Sequence, residues 1–489
     1  MLITDMTAVE IGKRIRNREL SAMEVADALC SRYMLEDGRL NAYTSFDIEV
    51  IKQTARQVQK RIDQKNIGSI LAGVPIGIKD NICTRGELTT CASKSLKGFK
   101  PPFDATVVDR IRKAGLVIAG KLNMDEFAMG STSETSCYGS VKNPWNVENV
   151  PGGSSGGAAA AVASCEAFCA LGSDTGGSIR QPASYCGVTG FKPSYGLVSR
   201  YGLIAYASSL DQIGPIARDV LDCAAVMDVI SGNDIMDSTS FDDKSEISFY
   251  GSMTGKINGK TIGIPKECFD SAVDCDVKQS VENSIKQLVK LGAKAKSISL
   301  PFIKYAVPTY YIIATAEASS NLSRFDGIKY GFRSEDDDTL DDLIINSRSE
   351  GFGREVRKRI LLGTFVLSSG FFDAYYKKAM KMKQLVKDGF DAAFKECDVI
   401  ICPTSPMTAP KLGCSLNDSM KMYLSDIFTV SVNLAGLPGL SIPCGFDKNN
   451  LPIGAQIIGA VGNDRTVLNM GYAFQKATDY HTKKPGGLA

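Results

Sequence analysis

The chain has 489 residues, of which 44% are hydrophobic and 22% are charged. This mixture is typical of globular proteins that bury a large core. The formal net charge of +2 predicts no overall attraction to nucleic acid or to a membrane surface. The first residues lack a signal-peptide pattern, and no apolar run approaches the ~20 residues that cross a bilayer. We therefore expect a cytoplasmic protein without a membrane anchor.

The chain contains fourteen cysteines and one histidine, His481. No two cysteines form a CxxC pair, so the sequence predicts reduced, mostly buried thiols and no metal site. Most serine and cysteine nucleophiles pass their proton to a histidine. Because His481 lies in a polar tail, an acyl-transfer enzyme with this sequence would need another base.

Apolar runs and helical periods alternate along the chain. Capping-box patterns that start at Thr7 and Ser21 predict a pair of helices within residues 1–65. Strands are predicted at 74–78, 116–119, 168–171, 261–264, 293–300, 399–402, 440–443 and 453–458. Helices are predicted at 105–114, with Asp104 as its N-cap, and at 158–164, 277–291, 307–322, 371–395 and 465–477. The alternation predicts an α/β fold with a mixed, mostly parallel central sheet covered by helices on both faces.

No long linker or internal repeat interrupts this alternation, so we expect one large domain spanning residues 1–489. The polar stretches 234–256 and 333–342 are predicted to be surface excursions. Neither has the length of a tether between domains.

Lys79 stands at the end of an apolar strand, where a lysine must be solvated, paired or functional. Burial lowers the pKa of a lysine, and only the neutral amine accepts a proton. Further along, glycines flank Ser154 and Ser155, and an alanine-rich helix follows them. This arrangement predicts a tight loop whose backbone approaches a ligand closely, with the helix N-terminus directed at it.

A second loop follows the strand predicted at 168–171. The turn from Thr175 to Ser178 places Ser178 at an exposed tip, just before a predicted helix start. The backbone amides of Thr175, Gly176, Gly177 and Ser178 could form a concave nest for an oxyanion.

Lys79, Ser154 and Ser178 together resemble the signature of the amidase signature family, including the spacing between the two serines. The resemblance implies that Ser178 is the nucleophile and that Lys79 is the general base. It also implies that Ser154, held by a cis peptide bond, relays the proton between them. Chemistry agrees, because a serine hydroxyl is a weak nucleophile until a base removes its proton.

The likeness extends over most of the chain, through residues 121–131, 190–196, 210–215 and 454–459. Within the family it is greatest to the glutamine-hydrolysing subunits (A) of tRNA-dependent amidotransferases, through residues 310–327, 355–365 and 423–429. In such subunits glutamine is held by a tyrosine, an arginine and an aspartate, which would here be Tyr310, Arg359 and Asp426. Arg357 is an alternative to Arg359, since both lie on one helical stretch.

The resemblance also implies partners. Residues 70–220 would carry the catalytic core and residues 300–430 the glutamine pocket. The ammonia would pass to a partner subunit (B) that binds mischarged tRNA, ATP and magnesium and amidates Glu-tRNA(Gln) or Asp-tRNA(Asn). A small subunit (C) would complete a heterotrimer, and this chain itself would need no metal or cofactor.

Other interpretations of the sequence account for fewer of the motifs around Lys79, Ser154 and Ser178. Residues 152–156 fit the G-x-S-x-G elbow of an α/β-hydrolase esterase, which would use Ser154 and require His481 as its base. Residues 115–122 nearly fit a P-loop, but Leu122 replaces the serine or threonine that reaches magnesium. A non-catalytic scaffold would not need all three triad positions. The alternative that stays open is a stand-alone amidase of the same family that acts on another amide.

Overall fold

The strands of the chain join one sheet in a computed structural model that describes residues 2–243, 245–270, 272–335, 338–414 and 419–486. Their order is β1-β3-β2-β4-β6-β5-β10-β11-β9-β7-β8. The strands are β1 (Tyr43–Ser45), β2 (Pro75–Lys79), β3 (Val117–Leu122), β4 (Cys169–Asp174), β5 (Thr189–Lys192), β6 (Gln212–Ala217), β7 (Thr261–Pro265), β8 (Lys294–Ile298), β9 (Val399–Pro403), β10 (Gly439–Phe446) and β11 (Pro452–Gly459).

Helices flank this sheet and bury its apolar side chains. They are α1 (Ala8–Arg16), α2 (Ala22–Leu40), α3 (Ile48–Asp63), α4 (Thr106–Ala114), α5 (Gly156–Ala163), α6 (Arg180–Cys186), α7 (Val220–Ile230), α8 (Cys275–Lys290), α9 (Ile303–Asn321), α10 (Leu340–Gly351), α11 (Arg354–Leu367), α12 (Lys377–Ala393), α13 (Ser419–Leu424), α14 (Val430–Leu434) and α15 (Asp464–Lys476). The α/β architecture with a large mixed sheet is as the sequence predicts.

The pairing within the sheet is not mostly parallel, which corrects the sequence prediction. Six of the ten strand pairings are antiparallel and four are parallel. The parallel pairs join β2 to β3 and β4, and β7 to β8 and β9. In the centre, only residues 447–451 separate β10 from β11, a connection too short for the crossover that parallel strands need.

The amino-terminal helices begin as their capping boxes predict. The Thr7 hydroxyl accepts from the Glu10 amide at 3.2 Å, and the Thr7 amide donates to the Glu10 carboxylate at 2.9 Å. Ser21 and Glu24 form the same reciprocal pair at the start of α2. Asp104 is not the N-cap of α4, however. That position is Ala105, and Asp104 instead accepts from the Arg85 amide at 2.7 Å.

The two polar excursions contain no strand and only short helical segments until α10 begins at Leu340. This statement covers the described residues, since residues 244, 336 and 337 lie outside them. All fourteen cysteines are free thiols.

Across the described ranges, no helix combines the length and the apolar character that spanning a bilayer requires.

A buried ion pair ties the strand β4 to the far half of the sheet. Asp174, the last residue of β4, accepts from Arg180 Nε at 3.0 Å and from Nη2 at 2.9 Å. Arg180 also donates to Gln456 on β11 and to Asn433 on α14, at 2.6 Å each. Burial alone would raise the pKa of Asp174, but the attraction of Arg180 lowers it below its usual range. The pair therefore fixes the turn after β4 from both sides.

We expect Arg180→Met to destabilise the chain by about 3–5 kcal/mol, because it leaves the Asp174 carboxylate buried without a counter-charge. The measurement is the denaturant midpoint at neutral pH. The matched control is Lys387→Met, which breaks the exposed pair with Asp391 and costs less than about 1 kcal/mol. Equal midpoints for the two variants would show that the buried pair does not stabilise the fold.

Candidate active site

Lys79 ends β2 at the edge where β2, β3 and β4 run parallel, and its side chain is fully buried. Its amine Nζ donates to Ser154 Oγ at 2.8 Å and to Ser155 Oγ at 2.8 Å. It also lies 3.0 Å from Ser173 Oγ and 3.3 Å from the Ser173 carbonyl oxygen. The amine is therefore surrounded by hydroxyl and carbonyl oxygens.

Burial lowers the pKa of Lys79 to about 7, because water is excluded from around the ammonium form. The negative charges of Asp125 and Asp174 oppose this shift but do not cancel it. No carboxylate forms an ion pair with Lys79 among the described residues. A large fraction of the amine is consequently neutral near pH 7 and able to accept a proton.

Ser154 lies in the glycine-rich loop that leads into α5, and the peptide bond between Gly153 and Ser154 is cis. The Gly153 amide donates to Gln181 Oε1 at 2.9 Å, which ties the loop to α6. A β-carbon at Gly153 would lie 2.1 Å from the Asp125 carboxylate, so the loop packs too closely for any other residue there. Gly153 thus serves close packing against the protein itself, and the close approach of this loop to a ligand stays a prediction.

Ser178 follows β4 in a turn that Asp174 organises. The Asp174 carboxylate accepts from the amides of Gly177 at 2.8 Å and Ile179 at 3.1 Å. The Ser155 amide donates to the Ser178 carbonyl at 3.2 Å, which places the two serine loops side by side. The Ser178 side chain is 8% exposed and its hydroxyl forms no hydrogen bond with any described residue.

The turn supplies fewer amides for an oxyanion than the sequence suggests. The Gly177 amide is already used by Asp174 and is not available to a ligand. The amides of Thr175, Gly176 and Ser178 form no hydrogen bond with the described residues. These three remain the candidates for an oxyanion nest.

Tyr310, Arg359 and Asp426 come from three separate segments, namely α9, α11 and the residues after α13. The Tyr310 ring lies against the turn that carries Ser178, since a β-carbon on Gly176 would be 2.6 Å from Tyr310 Cζ. On α11, Arg359 is buried and Arg357 is exposed, which favours Arg359 of the two arginines that the sequence left open.

The Arg359 guanidinium is held from two directions. Its Nε donates to Glu355 at 2.8 Å, and its Nη1 donates to the Tyr206 hydroxyl at 2.8 Å. The guanidinium also lies over the rings of Tyr206 and Tyr311, at 5.6 and 5.3 Å from their centres. The remaining nitrogen, Nη2, is buried without a hydrogen-bond partner.

Asp426 shows the complementary pattern. One carboxylate oxygen, Oδ2, accepts from the Ser131 hydroxyl, and the other, Oδ1, is buried without a partner. Burial raises the pKa of Asp426 to about 7, and repulsion from Asp174 adds to the effect, whereas Ser131 and Arg359 oppose it. The site therefore contains one buried donor without a partner, Arg359 Nη2, and one buried acceptor without a partner, Asp426 Oδ1.

The sequence assigned no role to several residues at the site. Ser155, Ser173, Tyr206, Ser131 and Glu355 contact the residues named above, but none had been given a role. Ser131, Ser155 and Ser173 fall within segments singled out for other reasons. The contact of Tyr206 with Arg359 spans 153 positions in sequence, a separation that leaves no local pattern.

His481 lies elsewhere. It lines a cavity with Thr7, Trp145 and Arg218, and Ser154 is not part of that lining. The esterase reading, in which His481 would activate Ser154, has no support from this position. Among the described residues, no group of three or more histidine, cysteine, aspartate or glutamate side chains could hold a metal ion.

Comparison with known proteins gives consistent results over nearly the whole chain. The family model described as Amidase matches residues 24–468. The A subunit of the glutamyl-tRNA(Gln) amidotransferase of Lachnospira eligens is 54% identical over 477 residues, covering 98% of this chain and 99% of that protein. Its counterpart from Halalkalibacterium halodurans is 50% identical over 485 residues, covering 99% and 100%.

Solved structures agree with these matches. The crystal structure of the A subunit of glutamyl-tRNA(Gln) amidotransferase from Thermotoga maritima has a TM-score of 0.80 and 41% identity, covering 97% of this chain and 95% of that one. The peptide amidase of Stenotrophomonas maltophilia has a TM-score of 0.82 at 26% identity, covering 96% of each. On the family match and these relatives, the chain belongs to the amidase family.

Proposed function

We propose that the chain hydrolyses the side-chain amide of free glutamine, as the A subunit of a tRNA-dependent amidotransferase. The observation that carries the proposal is the pair of buried, unsatisfied groups on Arg359 and Asp426. A guanidinium nitrogen suits an α-carboxylate, and a carboxylate oxygen suits an α-ammonium group. Free glutamine carries both groups, whereas a fatty or aryl amide carries neither.

The chemistry proposed for Lys79, Ser154 and Ser178 begins with neutral Lys79. The Ser178 Oγ attacks the amide carbon while its proton passes through Ser154 to the Lys79 amine. The oxyanion lies against the amides of Thr175, Gly176 and Ser178, which stabilise the charge as it develops. The C–N bond then breaks, Lys79 returns the proton through Ser154, and ammonia leaves. Water hydrolyses the γ-glutamyl ester to give glutamate and to restore Ser178.

Two contacts support these roles. The 2.8 Å distance between Lys79 Nζ and Ser154 Oγ allows direct proton transfer. The hydrogen bond from the Ser155 amide to the Ser178 carbonyl holds the turn that carries Ser178 beside the loop that carries Ser154. Amide hydrolysis of this kind needs no metal or organic cofactor from this chain.

The names of the relatives support the proposal of partner subunits. Those names describe one subunit of a larger enzyme, and we propose that a partner subunit (B) receives the ammonia, holds tRNA, ATP and magnesium, and amidates Glu-tRNA(Gln) or Asp-tRNA(Asn). A small subunit (C) would complete the heterotrimer in the cytoplasm. The alternative is a stand-alone amidase, which would release ammonia from simple amides without a preference for an α-amino acid.

The Ser178→Ala variant is expected to release no ammonia from glutamine, because it lacks the hydroxyl that forms the ester in the proposed mechanism. Ammonia release is measured with the assembled complex, and the control is Ser323→Ala, which removes an exposed hydroxyl. Glutaminase activity that persists in the Ser178 variant would contradict the proposed nucleophile.

The rate constant kcat/KM for glutamine is expected to rise with pH through a pKa of about 7. Below that pH Lys79 is protonated and cannot accept the serine proton, whereas above it the amine is neutral. The measurement is a pH profile of ammonia release. In Lys79→Met the activity should disappear at every pH.

A second variant tests whether the rising limb of this pH profile reports the ionisation of Lys79. Ser173→Ala removes an oxygen that accepts from the amine, and such oxygens favour its charged form. The limb should therefore move to lower pH. A limb at the wild-type position in Ser173→Ala would assign it to another group.

Arg359→Met is expected to lower kcat/KM for glutamine by about 10- to 100-fold, the cost of losing a hydrogen bond to a charged group. The matched control is Arg357→Met, which removes the same charge two positions away on the exposed face of α11. Equal effects of the two variants would contradict the assignment of the α-carboxylate to Arg359. A wild-type preference for acetamide over glutamine would favour the stand-alone amidase.

A further inference from the structure

A separate cavity of about 600 Å³ opens beside the proposed glutamine pocket. It is lined by Cys83, residues 95–99, Phe103, the turn 202–205, Asn321 at the end of α9, and residues 324–325 and 329–331. Its lining includes none of Lys79, Ser154, Ser178, Arg359 or Asp426. The two sites share a wall, because the Asn321 side chain in the cavity donates to the carbonyl of Tyr206 at 3.2 Å.

The charged side chains that line this cavity are all cationic. They are Lys97, Arg324 and Lys329, and no aspartate or glutamate belongs to the lining. None of the three forms an ion pair with a described residue. Asp326, which lies between two of them in sequence, accepts from the amides of Ile328 at 2.9 Å and Lys329 at 3.3 Å and so shapes the loop. The cavity is therefore locally positive although the whole chain carries a formal net charge of only +2.

Aromatic rings accompany these cations. Phe99, Phe103 and Tyr330 line the cavity and are 36%, 38% and 58% exposed. A cluster of exposed aromatic rings around one concave site is typical of a binding surface. Single exposed rings, spread over a surface, carry no such meaning. A flat, anionic ligand would satisfy both features.

We propose that this cavity binds one or two unpaired nucleotides of a single-stranded RNA. The bases would stack on Phe99, Phe103 and Tyr330, and the phosphates would lie against Lys97, Arg324 and Lys329. Base stacking on aromatic side chains within a basic groove is the usual physical basis of binding to single strands. The inference concerns a site outside the glutaminase chemistry and does not depend on it.

The size of the cavity favours RNA over an acidic protein segment. A stable protein interface buries about 800 Å² on each partner, which requires a broad surface. A volume of about 600 Å³ is in the range of small-ligand sites and suits the bases of a flexible strand.

The test is fluorescence anisotropy of a short, unstructured, labelled oligoribonucleotide with the full chain, over a range of salt concentrations. We expect binding whose logarithmic salt slope is about −2 at most, because two nucleotides and the next phosphate of the strand offer three phosphate contacts. The triple variant Lys97→Ala, Arg324→Ala, Lys329→Ala should weaken binding at least about tenfold and flatten that slope. Tyr330→Ala should weaken binding about tenfold without changing the slope.

The matched control removes three exposed lysines elsewhere, through Lys60→Ala, Lys378→Ala and Lys381→Ala. It should bind RNA as the wild type does, and both triple variants should keep the denaturant midpoint of the wild type, which shows that they fold. The inference is overturned if the wild type does not bind, or if the control loses as much affinity as the cavity variant.

Displacement of the RNA by adenosine monophosphate at equal nucleotide concentration would reassign the site to a free nucleotide. Failure of the cavity variant to assemble with its protein partners, without RNA binding by the wild type, would reassign it to a protein partner. None of these results bears on Ser178→Ala, so the two proposals fail separately.

Discussion

The buried ion pair between Asp174 and Arg180 is the interaction on which the arrangement of the site depends. Asp174 ends a strand in one half of the sheet, while Arg180 reaches Gln456 and Asn433 in the other half. The same carboxylate holds the amides of the turn that presents Ser178. A charge pair this deep is stable only when its hydrogen bonds are all satisfied, and here they are supplied from both sides. The fold and the nucleophile turn are thus fixed by one network.

Within that frame, the character of Lys79 comes from what surrounds it. A lysine at a strand end would normally be protonated and solvated. Here the amine donates to the hydroxyls of Ser154, Ser155 and Ser173, none of which carries a negative charge that would stabilise the ammonium form. Burial therefore favours the neutral amine. This explains how a chain with one histidine, remote from the site, can hold a neutral amine near pH 7, as the proposed mechanism requires.

The residues proposed for recognition and those proposed for chemistry come from different parts of the chain. Tyr310 packs against the turn that carries Ser178, whereas Arg359 and Asp426 reach the site from α11 and from the segment after α13. The RNA-binding cavity that we propose shares the wall formed by Asn321 and Tyr206, and Tyr206 also holds Arg359. Asn321, which lines the cavity, is therefore connected to Arg359 through two hydrogen bonds, from Asn321 to Tyr206 and from Arg359 to Tyr206.

The sequence by itself determined the local features. Capping boxes set the first helices, glycines marked both serine loops, and the alternation of apolar runs gave the α/β class, because each depends on residues close together in the chain. The family resemblance supplied the candidate residues that no local pattern could join. Only the tertiary structure decided the antiparallel centre of the sheet, the burial of Arg359 and exposure of Arg357, the use of the Gly177 amide by Asp174, and the contacts of Ser173 and Tyr206. These depend on burial and on contacts between segments far apart in sequence, and neither leaves a periodic signal in the order of the residues.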